Sequence, residues 1–293
     1  MAERARALER EIAAEASADG RVRPQLAEWA VVGIALFYAV LLLFAPLAAL
    51  ARGALSRGIA AFFREVTTPD ALSSLKLTFL LAVGATILNT VFGVATAWLL
   101  VRDKKFPGRR IVNGIVDMPF AVSPVIAGFM LIVLFGRTGW FAPVAEALGI
   151  KVLFAFPGML IATTFISLPF VIREIMPLLE QIGEEEENAA YTLGAGRWRA
   201  FWSVTLPGIR SGLQYGVLLT FARAVGEVGA VLVVSGSIIG MTETATLFIF
   251  RALDERNAVA GYAMALLLAL SSFVLLTAME WIRRRASKDA GAG

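Results

Sequence analysis

Arg223 and Glu227 stand in the middle of an apolar run that extends from Ile209 to Val234. A charge at the centre of a membrane helix costs about 2.5–3.5 kcal/mol on the insertion scale, so it needs a function or a neutralising partner. The i,i+4 spacing puts both side chains on one helix face, where they partly offset each other. Two roles suit such a pair. Arg223 can attract or gate a divalent anion on a route through the membrane, or the pair can hold helices together. The neutralising partner favours a structural or gating role over direct substrate contact. Asn89, Thr90, Ser123, Thr163, Thr164 and Ser167 are uncharged polar residues in other apolar runs. They can line a polar route, though hydrogen bonds across helices or back to the backbone are the plainer use of such groups. Covalent chemistry is poorly served. The 293 residues include no histidine and no cysteine, which removes disulfides, thiol chemistry, Cys/His zinc sites and histidine acid–base catalysis.

The elements that carry these residues are membrane helices. The chain is 58% hydrophobic and 17% charged, whereas soluble domains are about half apolar and about a quarter charged. Six apolar blocks fall near Trp29–Leu50, Leu75–Val101, Ile111–Phe135, Val152–Ile175, Ile209–Val234 and Val259–Ile282. Each is long enough to cross a bilayer, and helices are the natural form because backbone groups in lipid must pair within the segment. The expected organisation is a cytoplasmic tail over 1–28, a transmembrane domain over 29–282 and a cytoplasmic tail over 283–293. The tail to Glu28 carries Arg4, Arg6, Arg10, Arg21 and Arg23 without a signal-peptide core, and reads as a surface helix or a disordered tail. Pro119 and Pro124 in the third block, and Pro157 and Pro169 in the fourth, predict kinks or breaks.

Basic residues set the orientation. With both termini inside, seventeen Lys and Arg fall on inner segments and eight on outer ones, and Arg173 and Arg223 inside blocks complete the 27. This bias places both termini and the loop Glu184–Pro207 in the cytoplasm. The net charge of +4 therefore reports topology rather than affinity for nucleic acid.

The loop is too patterned to be a simple connection. Glu184–Glu187 followed by Asn188-Ala189-Ala190-Tyr191-Thr192-Leu193 predicts a short helix, its carboxylates at the positive end of the dipole. Gly194 is placed to end it. A second short helix is expected over Arg197–Val204, with Trp198, Phe201 and Trp202 on one face. Pro207 suits the entry to the next span. The loop is either a docking surface, its small alanines admitting a close partner, or an amphipathic hairpin lying on the membrane.

Asn188-Ala189-Ala190, Gly194 and Leu206-Pro207 resemble the E-A-A-x-x-x-G and I-x-L-P pattern of bacterial ABC importer permeases. Asn188 stands where that family usually has Glu, and Val204 where it has Ile. FPGRR at 106–110, DMPFAVSPVIAG at 117–128, GIKVLFAFPGM at 149–159 and YGVLLTFARAVGEVGAVLVVSG at 215–236 extend the resemblance to the CysW-type permease subunits of sulfate/thiosulfate importers. Subunits of that type are binding-protein-dependent transport inner-membrane components.

The resemblance implies an all-α polytopic membrane protein with six transmembrane helices, in the type I importer (MetI-like) architecture. It implies import of sulfate or thiosulfate across the bacterial inner membrane by alternating access. Glu187, Asn188, Ala189, Ala190, Gly194, Leu206 and Pro207 become ATPase-coupling residues, and Arg223 and Glu227 pathway or gate residues. The implied partners are a T-type permease subunit, an ABC ATPase homodimer, a periplasmic binding protein and membrane lipid. No G-x-x-x-x-G-K-S/T phosphate loop occurs, so ATP and Mg²⁺ belong to the ATPase and this chain carries no cofactor. A molybdate/tungstate permease shares part of the pattern. An anion channel would not need a docking loop. A membrane-embedded enzyme lacks its usual side chains here.

Overall fold

A computed structural model describes residues 24–103, 105 and 107–290, and every regular element among them is a helix. Residues 1–23 of the expected N-terminal tail, and 291–293, lie outside the described residues. The chain divides into a unit ending at Ala49 and a unit beginning at Leu50. The first holds most of α1 (Pro24–Ala54), whose side chains are exposed from Trp29 to Phe44. Its 31 residues make a helix ~46 Å long, more than the ~30 Å hydrocarbon core of a bilayer.

The second unit continues with α2 (Ile59–Val66), α3 (Pro69–Arg102), α4 (Arg109–Ala121), α5 (Pro124–Phe135), α6 (Ala142–Ala147) and α7 (Phe156–Ile182). After these come α8 (Glu185–Thr192), α9 (Arg197–Ala200), a π-helical turn over Phe201–Thr205, α10 (Leu206–Gly208) and α11 (Arg210–Val225). The chain closes with α12 (Gly229–Ser235), α13 (Ala245–Asp254) and α14 (Ala258–Ala290). Helices α1, α3, α7 and α14 are each long and apolar enough to span a membrane. The pairs α4–α5 and α11–α12 supply two further spans, bent by 117° and 54° at their breaks.

Both bent pairs traverse the depth of α7. At one end, Arg173 on α7 bonds Asp117 on α4. Next along, the Phe120 and Phe170 rings meet edge to face at 5.6 Å. Further along, Ala127 and Leu131 on α5 pack with Ala162 and Ile166 on α7, and Phe135 joins the same cluster with Leu153. The fifth block behaves alike. Gly212 on α11 lies against Leu178, Gly216 against Val171 and Glu174, and Val234 on α12 accepts from the Phe154 amide at 2.9 Å. Each broken pair therefore makes one crossing, which gives the expected six spans.

Two sequence expectations change. The fifth block is not one helix, so Arg223 and Glu227 do not share a helix face: α11 ends at Val225 and Glu227 lies in the break. Pro157 opens α7 at its first turn, where no donor is needed, and Pro169 and Pro177 sit inside a helix that continues through them. The prolines of the third block do bracket a break, at Val122–Ser123.

Small residues let the helices approach. Lipid offers no hydrophobic drive between spans, so close van der Waals packing has to hold them. A Cβ on Gly93 would sit 3.0 Å from the Val171 side chain, and one on Gly212 would overlap the Leu178 side chain. Around these contacts Val94, Ala97, Val101, Val116, Val171, Ile172, Ile175, Leu179 and Ile209 form one buried cluster. Helix α3 is started by Thr68, which accepts from the Ala71 amide, with Pro69 in its first turn.

The end of the bundle at Ile182, where α8 and α9 follow, is the loop end; the opposite end carries α13. There Arg251 donates to Glu243 at 2.6 and 3.1 Å and to Glu255 at 3.1 Å. The hydrogen bonds Arg251 donates to Glu243 are the main cause raising its pKa further above the ordinary guanidinium value, with desolvation opposing them.

Candidate functional site

At the loop end, α8 begins with Glu185, Glu186 and Glu187 in its first turn. Two of the three face solvent and suit the helix dipole. Glu187 does not: it is 5% exposed. Its Oε1 accepts from Arg102 Nε at 3.1 Å, Arg102 NH2 at 2.9 Å and Thr205 Oγ1 at 2.7 Å. Arg102 also donates to the Leu179 carbonyl at 3.0 Å. One carboxylate thus joins α8 to the end of α3, the last turns of α7 and the π-helical turn. The glutamate run is not uniformly a helix-start device, as its sequence suggested.

The rest of the loop follows the expected form. Gly194 takes φ +85°, its amide donates to Tyr191 O at 2.9 Å, and the Ala195 amide donates to Ala190 O at 3.0 Å. This is a Schellman close, which needs a residue that tolerates the left-handed region. Asn188, Ala189, Leu193 and Gly194 are exposed, Leu193 to 88%, while Ala190 is half-buried. The second helix is shorter than expected as α-helix, over Arg197–Ala200, and passes into the π-helical turn. Trp198, Phe201 and Trp202 cluster with centroids 5.6–6.0 Å apart. Leu206 and Pro207 lie in α10, directly before α11.

Halfway along the bundle a cavity of about 490 Å³ opens beside the α4–α5 break. Pro119 to Pro124, Ile166, Phe170 and Arg223 line it. Arg223 NH1 lies 2.7 Å from Glu227 Oε2, with the arginine side chain 31% and the glutamate 2% exposed. The approach is close but not aligned as a hydrogen bond. Glu227 instead uses Oε1 to accept from the Ala230 amide at 2.9 Å, which caps α12. The two breaks touch, since a Cβ on Gly229 would meet Pro124 Cβ at 2.9 Å.

The polar residues of the spans divide. Asn89 donates to Thr164 O and Ser167 Oγ, Thr90 to Thr86 O, Thr163 to Met159 O and Ser167 to Thr163 O. These are internal bonds between or within helices. Ser123 is the member of the set that lines the cavity, and its hydroxyl makes no capping bond. Sequence reasoning missed Asp117 and Asn113, which bind Arg173. The available signal was Asp117 itself, a lone acid inside an apolar block that already held an unpaired-looking arginine on its neighbour.

The matched family model is described as "Binding-protein-dependent transport system inner membrane component" and covers residues 89–288. The chain belongs to this family of transporter membrane subunits. It is 44% identical to the sulfate transport system permease protein CysW of Synechococcus elongatus, over 89% of this chain and 91% of that one. It is 38% identical to the protein of the same name from Escherichia coli K12, over 90% and 91%, and 37% identical to that organism's CysT over 87% and 91%. Among solved structures, a bacterial alginate ABC transporter chain superposes with a TM-score of 0.74 at 16% identity, covering 90% of this chain and 96% of that one. The methionine transporter MetNI gives 0.55 at 17%, over 73% and 94%. These last two likenesses concern the fold.

Proposed function

We propose that this chain is the membrane-spanning subunit of an ATP-driven importer for sulfate or thiosulfate in the bacterial inner membrane. The loop end faces the cytoplasm, both termini lie on that side, and α8 is the helix that seats in the ATPase. The partners are a T-type permease, two copies of an ATPase that bind ATP and Mg²⁺, and a binding protein at the opposite face. The names of the relatives support the substrate, and the basic-residue bias supports the orientation.

The observation that carries this reading is the buried Glu187. A docking helix transmits force only if it is fastened to what must move. Glu187 fastens α8 to α3 through Arg102 and to the π-helical turn through Thr205. The exposed side of α8 and its close, Asn188, Ala189, Leu193 and Gly194, is left for the ATPase. Closure of the ATPase dimer then displaces α8, and the fastening carries the displacement into α3 and α7. The substrate shifts the equilibrium only through unequal affinity for the two states. The cavity beside Arg223 lies on the route, its guanidinium offering charge to a divalent oxyanion.

Gly194→Arg is the direct test. It adds bulk and charge to the docking surface and forces a side chain into φ +85°. ATP-dependent sulfate uptake is expected to vanish while the protein still inserts in the membrane; normal uptake would sink the docking assignment. Orientation is tested separately. The chain has no cysteine, so Leu193→Cys supplies a single thiol. A membrane-impermeant maleimide is expected to label it in inverted vesicles and not in right-side-out cells.

A further inference from the structure

The cavity beside Arg223 is bounded on the loop-end side by the Phe120 and Phe170 rings. Beyond those rings the same two helices carry another cation. On α4, Asn113, Asp117 and Phe120 fall at i, i+4 and i+7; on α7, Ile166, Phe170 and Arg173 do the same. Arg173 Nε donates to Asp117 Oδ1 at 2.8 Å, and its NH2 donates to Asn113 Oδ1 at 3.0 Å. Because a guanidinium can only donate, this contact fixes the Asn113 amide with its NH2 group turned away from Arg173. That NH2 makes no hydrogen bond to the described residues.

The group lies toward the loop-end edge of the apolar blocks Ile111–Phe135 and Val152–Ile175. Arg173 lies nine residues before the end of α7 at Ile182, ~14 Å along the helix. Its side chain is 34% exposed and that of Asp117 is 48% exposed. Charges within membrane helices face protein or a water-filled space rather than hydrocarbon. The neighbouring turn of each helix already lines a cavity, so a water-filled space at Arg173 would continue that cavity. The Arg102–Glu187 pair, which is structural, is closed on all sides by comparison, with side chains 10% and 7% exposed.

We propose that Arg173 and Asn113 form a second oxyanion site, on the loop-end side of the Phe120–Phe170 pair, and that Asp117 is its built-in competitor. A tetrahedral dianion leaving the Arg223 cavity passes the two rings and meets Arg173. It takes up the guanidinium and the Asn113 amide, and is repelled by Asp117 at the same moment. Attraction brings the anion in; the resident carboxylate recovers the guanidinium and expels it. Occupancy is therefore brief, which suits a release site facing the cytoplasm. This rests on the importer reading above.

The test uses the assembled importer in lipid nanodiscs, with labelled sulfate as the probe. Nucleotide-free wild type is expected to retain little sulfate. Asp117→Asn keeps the shape and removes the competing charge, so retention should tighten about tenfold while ATP-driven uptake slows. Adding Arg173→Gln to Asp117→Asn should abolish that retention, and Arg173→Lys in its place should preserve part of it. Equal retention by Asp117→Asn and wild type, with uptake intact, would overturn the site. So would loss of the partner permease from the Asp117→Asn complex, which would make the pair an intersubunit contact. Absence of sulfate uptake by the wild-type complex is a different failure, and removes the substrate reading along with this one.

Discussion

Two ion pairs in this molecule have the same formal composition and opposite settings. Arg102–Glu187 at the loop end is closed off from solvent, and the carboxylate takes three aligned hydrogen bonds from two elements. Arg223–Glu227 at mid-depth borders a cavity, and its 2.7 Å contact is not aligned as a hydrogen bond. The first pair fixes geometry through three bonds gathered on one carboxylate oxygen. The second keeps part of its cation available. On the proposed reading, hydrogen-bond satisfaction, more than distance, is what separates the fastening from the working charge. A buried pair is not thereby a strong source of stability, but breaking one member leaves an uncompensated charge.

The largest contrast is expected from Glu187→Ala. It leaves Arg102 with its carboxylate partner gone in a closed site, at a local cost of about 3–5 kcal/mol. Sulfate uptake should fall to background, and hydrogen exchange over 185–205 should accelerate; unchanged exchange there would break the fastening argument. Next comes the mid-depth pair. If Arg223 works on the route, Arg223→Ala and Arg223→Ala with Glu227→Ala should be equally inactive in transport while both complexes assemble. A double variant that regains uptake would instead make the pair a structural one, and the comparison would collapse into two fastenings. Thr205→Val is the smallest change. It removes one donor from a charged acceptor, about 1.5–3 kcal/mol locally. Uptake should drop a few-fold, with the loop still attached through Arg102; a loss as large as that of Glu187→Ala would assign the fastening to the π-helical turn rather than to α3.

Much of the loop could be read in advance, for local reasons. A carboxylate run, two alanines and Gly194 specify a short helix and its stop without reference to anything distant. The observed Glu185–Thr192 helix and the left-handed Gly194 follow from that. What Glu187 does could not be read, because its partner Arg102 is 85 positions away and only packing brings them together. The same holds for Asp117 and Arg173, 56 positions apart. Helix breaks were half legible. Pro119 and Pro124 signal one directly. The other, at Gly226–Val228, has no proline, and i,i+4 reasoning across it assumed a helix that stops at Val225. Contact is still made there because the turn after α11 brings Glu227 back toward Arg223.

The touching breaks at Pro124 and Gly229 have a further consequence. Beyond them, α5 and α12 pack on each other through Ala127, Leu131, Ala230 and Val234, together with the first half of α7. Before them, α4 and α11 are held to the second half of α7. The broken pairs are thus divided crosswise into two storeys, with the unbroken α3 and α7 as common posts. Where the storeys meet, the clearance is a single hydrogen atom, the one that glycine carries at position 229.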